Sequence, residues 1–193
     1  MRKKKTIIGL TGISCSGKTT ACLFFARLGA KIIDADKIAH AVLKQKHMKL
    51  FLKRTFGNEI FKNGKLSTKK LAALTFGHKK NLKLLNSITH PSILTLIKER
   101  IDAVSDGIVV VDAPLLVESN LFKKMDINIL VKSKPDKLTQ RCRLIGISPE
   151  QLKKRCVSQL PQGQKEKYVD FVVDNNGSKK DLEKNIKEIW RKI

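Results

Sequence analysis

Thr6-Ile-Ile-Gly-Leu-Thr11-Gly12-Ile-Ser-Cys-Ser-Gly17-Lys18-Thr19 runs from a short apolar, β-branched segment into a loop of pattern G-x-x-x-x-G-K-[ST]. Residues 6–11 read as a buried first strand bounded by glycine. Thr19–Leu28 carries apolar residues at helical spacing and stops at Gly29, so the loop joins a strand to a helix. A phosphate-binding loop requires that context. Gly12 and Gly17 allow turns that aim successive backbone N–H groups at phosphate oxygens, and the following helix adds the positive end of its dipole. Gly12, Ile13, Ser14, Cys15, Ser16, Gly17, Lys18, Thr19 and Thr20 are therefore the expected nucleotide contacts. Lys18 would reach the β- and γ-phosphates, and the Thr19 hydroxyl would ligate Mg²⁺.

Working outward, Lys31–Ile33 reads as a second strand that ends in Asp34-Ala-Asp36. Residues 37–104 are helical in pattern and poor in strands. Within them Ser67 can cap a helix through Phe76, and Pro91 can begin another to about Val104. Ile108–Val111 is a continuous apolar run of the kind buried on both faces, and Ile127–Val131 is a fourth strand. Pro135 starts a helix through Arg141-Cys-Arg143, and Ser148-Pro149 caps one that ends before Pro161. Asp170–Asp174 is a fifth strand. Ser178-Lys-Lys-Asp181 resembles a capping box with Asp in place of Glu and opens a terminal helix with Leu182, Ile186, Ile189 and Ile193 on one face. Strands alternating with helices predict an α/β fold of three layers, a five-stranded parallel sheet flanked by helices.

With 193 residues and 41% hydrophobic content, the chain can bury a core, which excludes wholesale disorder. Lys+Arg at 40 against Asp+Glu at 17 gives a formal charge of +23. The basic residues are mostly lysine and run the length of the chain, so a solvated lysine surface accounts for them as well as a nucleic-acid footprint does. Four cysteines, Cys15, Cys22, Cys142 and Cys156, form no CxxC pair and no zinc spacing. Nothing in their arrangement suggests a disulfide framework. Cys15 reads as a small residue tolerated in the loop and the other three as packing residues, with a cytoplasmic setting. No run approaches the roughly 20 apolar residues of a membrane span.

Asp34 and Asp36 follow the second strand and Asp112 follows the third, at the carboxyl ends where open α/β sheets bind ligands. A carboxylate facing a γ-phosphate can orient an acceptor hydroxyl and take its proton, or hold Mg²⁺ through water. One of Asp34 and Asp36 serves equally well as a helix cap. Arg141, Arg143 and Arg155, between the fourth and fifth strands, can close over a triphosphate or lie on solvated helix faces.

Taken together, these residues resemble the dephospho-CoA kinase family of P-loop kinases. Gly9-Leu-Thr-Gly12 through Thr19 is like the family's opening, and Asp34-Ala-Asp36 with Ile38-Ala39 is like its second-strand signature. His90-Pro91 and Val111-Asp-Ala-Pro-Leu-Leu-Val-Glu118 are similar to its central motifs. Arg155, Gln159-Leu-Pro161, Lys165 and Asp170 through Gly177 are similar to its lid and last strand, so the likeness covers about residues 6–190. The resemblance implies ATP-dependent phosphorylation of the ribose 3′-hydroxyl of dephospho-CoA, with Mg²⁺. It makes Asp36 the base, with Lys18 and Arg141 acting on the triphosphate and Asn175 near the adenine. It places Asp36, His90, Asp112, Leu115 and Glu118 at the acceptor. It implies one domain over 6–193, with a core of 6–36, 105–140 and 167–193, a helical acceptor-binding part of 37–104 and a lid of about 141–166. Two features depart from the family's pattern: Ile13-Ser-Cys15 replaces a more glycine-rich loop, and Arg141 and Arg143 stand two apart where the family spaces its arginines by four. Arg141 and Arg143 both remain candidates for the arginine that reaches ATP.

A nucleoside or nucleotide kinase of the same fold is the nearest rival, and a basic nucleic-acid-binding NTPase is a rival from another class. No N-K-x-D guanine-reading segment is present. The expected partners are small molecules, with neither nucleic acid nor a membrane.

Overall fold

The computed structural model describes residues 5–75, 78–156 and 159–193, with 154 and 155 described through their backbone alone. In chain order the elements are β1 (Thr6–Thr11), α1 (Lys18–Arg27), β2 (Lys31–Asp34), α2 (Ala35–Lys44), α3 (Lys46–Phe56), β3 (Phe61–Lys62), β4 (Lys65–Leu66), α4 (Thr68–Thr75) and α5 (Lys79–Asp102). They continue with β5 (Ile108–Asp112), β6 (Ile127–Lys132), α6 (Pro135–Leu144), α7 (Pro149–Cys156), α8 (Gln162–Lys165), β7 (Phe171–Asp174) and α9 (Lys179–Trp190). The chain forms two compact units, one of Met1–Asp34 with Ile101–Ile193, the other of Ala35–Arg100.

The first unit is built on a five-stranded sheet in the order β2-β5-β1-β6-β7, every neighbouring pair parallel. The sequence reading called for this α/β architecture. Strand β1 lies at the centre because its side chains suit burial on both faces: Ile8 and Leu10 are fully buried. Ala21, Phe24 and Phe25 of α1 share a core with Leu182, Ile186 and Ile189 of α9 and with Ile8, Leu10, Val110, Ile129, Val131 and Val173 of the sheet. Gly29, at φ +104°, ends α1 in a conformation that L side chains rarely adopt. The Ser178 hydroxyl accepts from the Asp181 backbone N–H and the Asp181 carboxylate accepts from the Ser178 N–H, so α9 opens with the anticipated capping box. Ser178→Ala removes one arm of that box and should lower the unfolding free energy by about 1 kcal/mol. Urea titration followed by circular dichroism measures it, and a midpoint equal to wild type would show that the cap is dispensable.

The second unit is helical, as 37–104 read, around Val42, Met48, Leu52, Phe56, Ile60 and Leu71. Two features depart from the sequence reading. Residues 61–66 form a small antiparallel hairpin, β3 with β4, turned by Asn63 at φ +50° and Gly64 at φ +71°. Asn-Gly is the dipeptide that hairpin turns favour, because both residues tolerate positive φ. Pro91 does not start a helix but lies inside α5, a helix of 24 residues. A proline there forfeits one backbone hydrogen bond. Leu85 and Ile88 before it and Ile93 and Leu96 after it all pack on the unit's core, and that burial carries the helix through. Phe76, the expected end of the helix from Ser67, lies outside the described residues; α4 is described to Thr75, with the Ser67 hydroxyl accepting from the Lys70 N–H.

Candidate active site

The loop of residues 12–17 leaves the carboxyl end of β1 and delivers the chain into α1. Its two defining glycines are needed for different reasons. Gly17 has φ +93°, and a Cβ there would collide with the Asn175 side-chain amide. Gly12 lies so close to its surroundings that a Cβ would be 2.5 Å from Ser16 Oγ and 2.7 Å from the Val131 carbonyl. The Ser16 carbonyl is the anchor of the loop. Asn175 Nδ2 donates to it at 2.7 Å, Arg141 NH1 donates at 3.4 Å, and Ser133 Oγ lies 3.1 Å away. A trans peptide directs its C=O and N–H to opposite sides. Holding the Ser16 oxygen on the side of Asn175 and Arg141 therefore turns the Gly17 N–H to the opposite side.

Lys18 begins α1 and its ammonium pairs with Asp112, both side chains nearly buried. Asp112 ends β5 in register with Leu10 on β1 and with Asp34, which ends β2. The carboxylates thus stand at the carboxyl edge of the sheet, beside the loop's point of departure. Thr19 follows in the first turn of α1 and is exposed, and Thr20 beside it is half-buried. Among the described residues no group of three or more His, Cys, Asp or Glu side chains could hold a metal. The Thr19 hydroxyl is a hard oxygen donor, which suits a Mg²⁺ that takes most of its ligands from phosphates and water.

Arg141, on α6, does not extend into solvent. Its NH1 donates to Ser133 Oγ at 2.8 Å and its NH2 to the Asn175 carbonyl at 2.7 Å. Arg143, two residues on, is exposed. The Arg155 side chain lies outside the described residues. Asn175, implied for the adenine side, is buried, with its amide on the loop carbonyl. The neighbouring Cys142 corrects the cysteine reading: it forms a disulfide with Cys15 of the loop, the two Cα atoms 5.7 Å apart. Their separation of 127 positions leaves no local spacing for a sequence to show, so the pairing arises from the fold alone.

After β5 the chain turns through residues 113–120. Leu115 is 39% exposed there, while Glu118 is engaged internally: its Oε1 accepts from the Leu160 N–H at 2.6 Å and lies 3.0 Å from the Lys165 ammonium. Lys165, at the end of α8, is fully buried and also donates to the Pro114 carbonyl at 2.5 Å. Burial pushes its ammonium below the ordinary lysine value, and Glu118 pulls the other way. In the second unit, Asp36 lies in the first turn of α2. His90 lies within α5, and burial pushes its imidazole below the usual histidine value.

Comparison with known proteins decides among kinases that share this architecture. The family model described as dephospho-CoA kinase matches residues 6–181. The chain belongs to the dephospho-CoA kinase family. It is 37% identical over 191 residues to a dephospho-CoA kinase of Fusobacterium nucleatum, covering 97% of this chain and 98% of that one. Among solved structures, TT1252 from Thermus thermophilus is 29% identical with a TM-score of 0.87, each chain covered to 99%. Dephospho-CoA kinase from Campylobacter jejuni is 27% identical with a TM-score of 0.62, each covered to 97%. Membership makes the chain a kinase, an ATP-dependent phosphotransferase of coenzyme A synthesis with an alcohol acceptor.

Within this kinase family frame, two functional contributions escaped the residue-by-residue reading. Ser133 and Gln162 hold each other and the loop: Gln162 accepts from the Ser133 N–H at 3.0 Å and donates to its carbonyl at 2.9 Å, while Ser133 Oγ meets the Ser16 oxygen. Lys165 was quoted only as part of a motif. One lysine among 40 basic residues gives no signal that it is the buried one.

Proposed function

We propose that the chain transfers the γ-phosphoryl group of ATP to the 3′-hydroxyl of the ribose of dephospho-CoA, giving coenzyme A and ADP, in the cytoplasm. The observation that carries the reading is the loop at the carboxyl end of β1, its Ser16 carbonyl held by Asn175 and its Lys18 paired with Asp112. In this scheme the loop amides bind the β-phosphate and Lys18 exchanges its Asp112 partner for phosphate oxygens, opposing the negative charge that gathers during transfer. Asp36 orients the acceptor hydroxyl and takes its proton, so the hydroxyl oxygen attacks phosphorus as ADP leaves. Thr19, with a sheet-end carboxylate acting through water, would hold Mg²⁺, which supplies charge neutralisation at the phosphates. Arg141 or Arg143 adds positive charge on the nucleotide side, and His90, Asp112, Leu115 and Glu118 are the residues that the family resemblance assigns to the acceptor. Leu115 offers it an exposed apolar contact and Asp112 a hydrogen-bond acceptor. Glu118 acts through the turn whose shape it maintains.

The test is ADP release with MgATP and dephospho-CoA, the product checked by mass for a 3′-phosphate. Lys18→Ala should lower kcat by about 10²–10³-fold and weaken ATP binding. ATP consumption without 3′-phosphorylated product would overturn the acceptor assignment, and product formation by Lys18→Ala at the wild-type rate would overturn the role of the loop lysine.

A further inference from the structure

Cys15 belongs to the loop proposed above to bind the phosphates, and it adopts φ +66°, a left-handed conformation uncommon for a residue with a side chain. Its partner Cys142 is buried on α6, between Arg141, which grips the Ser16 and Asn175 carbonyls, and Arg143. The disulfide therefore joins the phosphate loop covalently to the helix that carries the candidate triphosphate arginines. We propose that Cys15 and Cys142 are a thiol-modification site for low-molecular-weight disulfides, and that their oxidation closes the loop to ATP. The proposal rests on the reading of this loop as the ATP site.

The chemistry selects this pair. Cys15 lies two residues before Gly17, the N-cap of α1, and the positive end of a helix favours the thiolate form of a nearby cysteine. Cys15 is also partly exposed, so a small disulfide can reach it. Cys22 and Cys156 differ. Burial raises the Cys22 thiol, with Asp112 adding to the effect, and burial raises Cys156 as well, so both are held as unreactive thiols. The exchange balances in two steps. The Cys15 thiolate attacks one sulfur of RSSR, forming a mixed disulfide and expelling RS⁻. The Cys142 thiolate then attacks the Cys15 sulfur and expels the second RS⁻. Two protein thiols are oxidised, one small disulfide is reduced to two thiols, and the two thiol protons pass to the expelled thiolates.

A crosslink at Cys15 holds the loop to α6 in a single arrangement, whereas nucleotide binding requires Lys18 to leave Asp112 and the arginine helix to settle on the phosphates. ATP and oxidation are then antagonists, and linkage makes the antagonism mutual. In a thiol-rich cytoplasm the pair is reduced at rest and oxidised when small disulfides accumulate.

The experiment places the purified full chain in glutathione buffers of rising oxidised fraction. Initial rates are measured, and peptides mapped by mass without reduction. Expected are a peptide joining Cys15 to Cys142, a loss of kcat/KM for ATP that tracks its formation, and recovery with dithiothreitol. Saturating MgATP should raise the oxidising strength of the buffer needed for half-bridging by about 5–150-fold in equilibrium constant. Cys142→Ala stops at the first step, so in the buffer that silences wild type it should carry one small thiol on Cys15 and yield no crosslinked peptide. The ATP-protection measurement needs no variant, so it decides the matter even if Cys142→Ala folds poorly. An oxidised enzyme that carries the bridge and works at the reduced rate overturns the proposal. So does a Cys142→Ala enzyme that takes up no small thiol at Cys15, or bridging through Cys22 or Cys156 instead. A reduced enzyme with no kinase activity would instead overturn the reading of the loop as an ATP site.

Discussion

Asp36→Asn should phosphorylate dephospho-CoA about 10²–10⁴-fold more slowly than wild type, the range that a positioned general base contributes. Its affinity for ATP should change little, because the triphosphate is held by the loop amides and Lys18. The substitution is close to isosteric and removes the proton acceptor while keeping a hydrogen-bonding side chain at the start of α2. Pre-steady-state rates with saturating MgATP, compared with nucleotide binding by calorimetry, separate the two quantities. A variant with full turnover would remove Asp36 as the base and move attention to Asp34 and Asp112, whose strand-end positions are in register. A variant that loses ATP affinity in proportion to turnover would make Asp36 part of the nucleotide site instead.

The second large effect is on stability. Lys165→Met should lower the unfolding free energy by about 3–5 kcal/mol, since it leaves the Glu118 carboxylate in a buried setting without its cation. The Leu160 N–H alone is a poor substitute for an ammonium. The pair as a whole contributes far less than that figure, because burying both charges costs about what their attraction returns. The double variant Lys165→Met with Glu118→Gln should therefore be less destabilised than Lys165→Met alone: the carbonyl of the introduced glutamine can still accept from the Leu160 N–H, and no charge is stranded. Urea unfolding of the single and double variants tests this, and equal losses in the two would refute a stranded charge as the cause. The sign of the pH dependence follows from burial. Lys165 has a folded-state value below the ordinary 10.5, so the unfolded chain binds the proton more tightly between the two. Its contribution thus rises with pH through that window and is lost as pH falls through it. Lys165→Met should flatten that part of the stability curve.

The strands and the phosphate loop were legible because their signals are local. Thr6–Thr11, Ile108–Val111 and Ile127–Val131 are apolar runs that only burial on both faces explains, and the glycines at 12 and 17 occupy positions where the structure leaves no room for a Cβ. The capping box at Ser178 was legible for the same reason, because cap and partner are three residues apart. Pro91 misled because its local preference to begin a helix was outweighed by the packing of Leu85, Ile88, Ile93 and Leu96, which no window of sequence around a proline displays. Residues 61–66 were passed over because two-residue strands carry almost no periodicity, although Asn63-Gly64 marked the turn.

Sequence by itself determined the α/β class, the five strands of the main sheet with helices between them, the phosphate-loop motif and, through several motifs in order, the family. Each of these rests on residues close together in the chain, whose conformations follow from sterics, hydrogen bonding and hydrophobic period. Tertiary structure alone decided which long-range partners those residues meet. It placed three donors from residues 133, 141 and 175 on the Ser16 carbonyl, the Lys165 ammonium on Glu118, and the sulfur of Cys142 on that of Cys15. Such pairings form when strands β1, β5, β6 and β7 align side by side, and residues more than a hundred positions apart in the chain become neighbours only then.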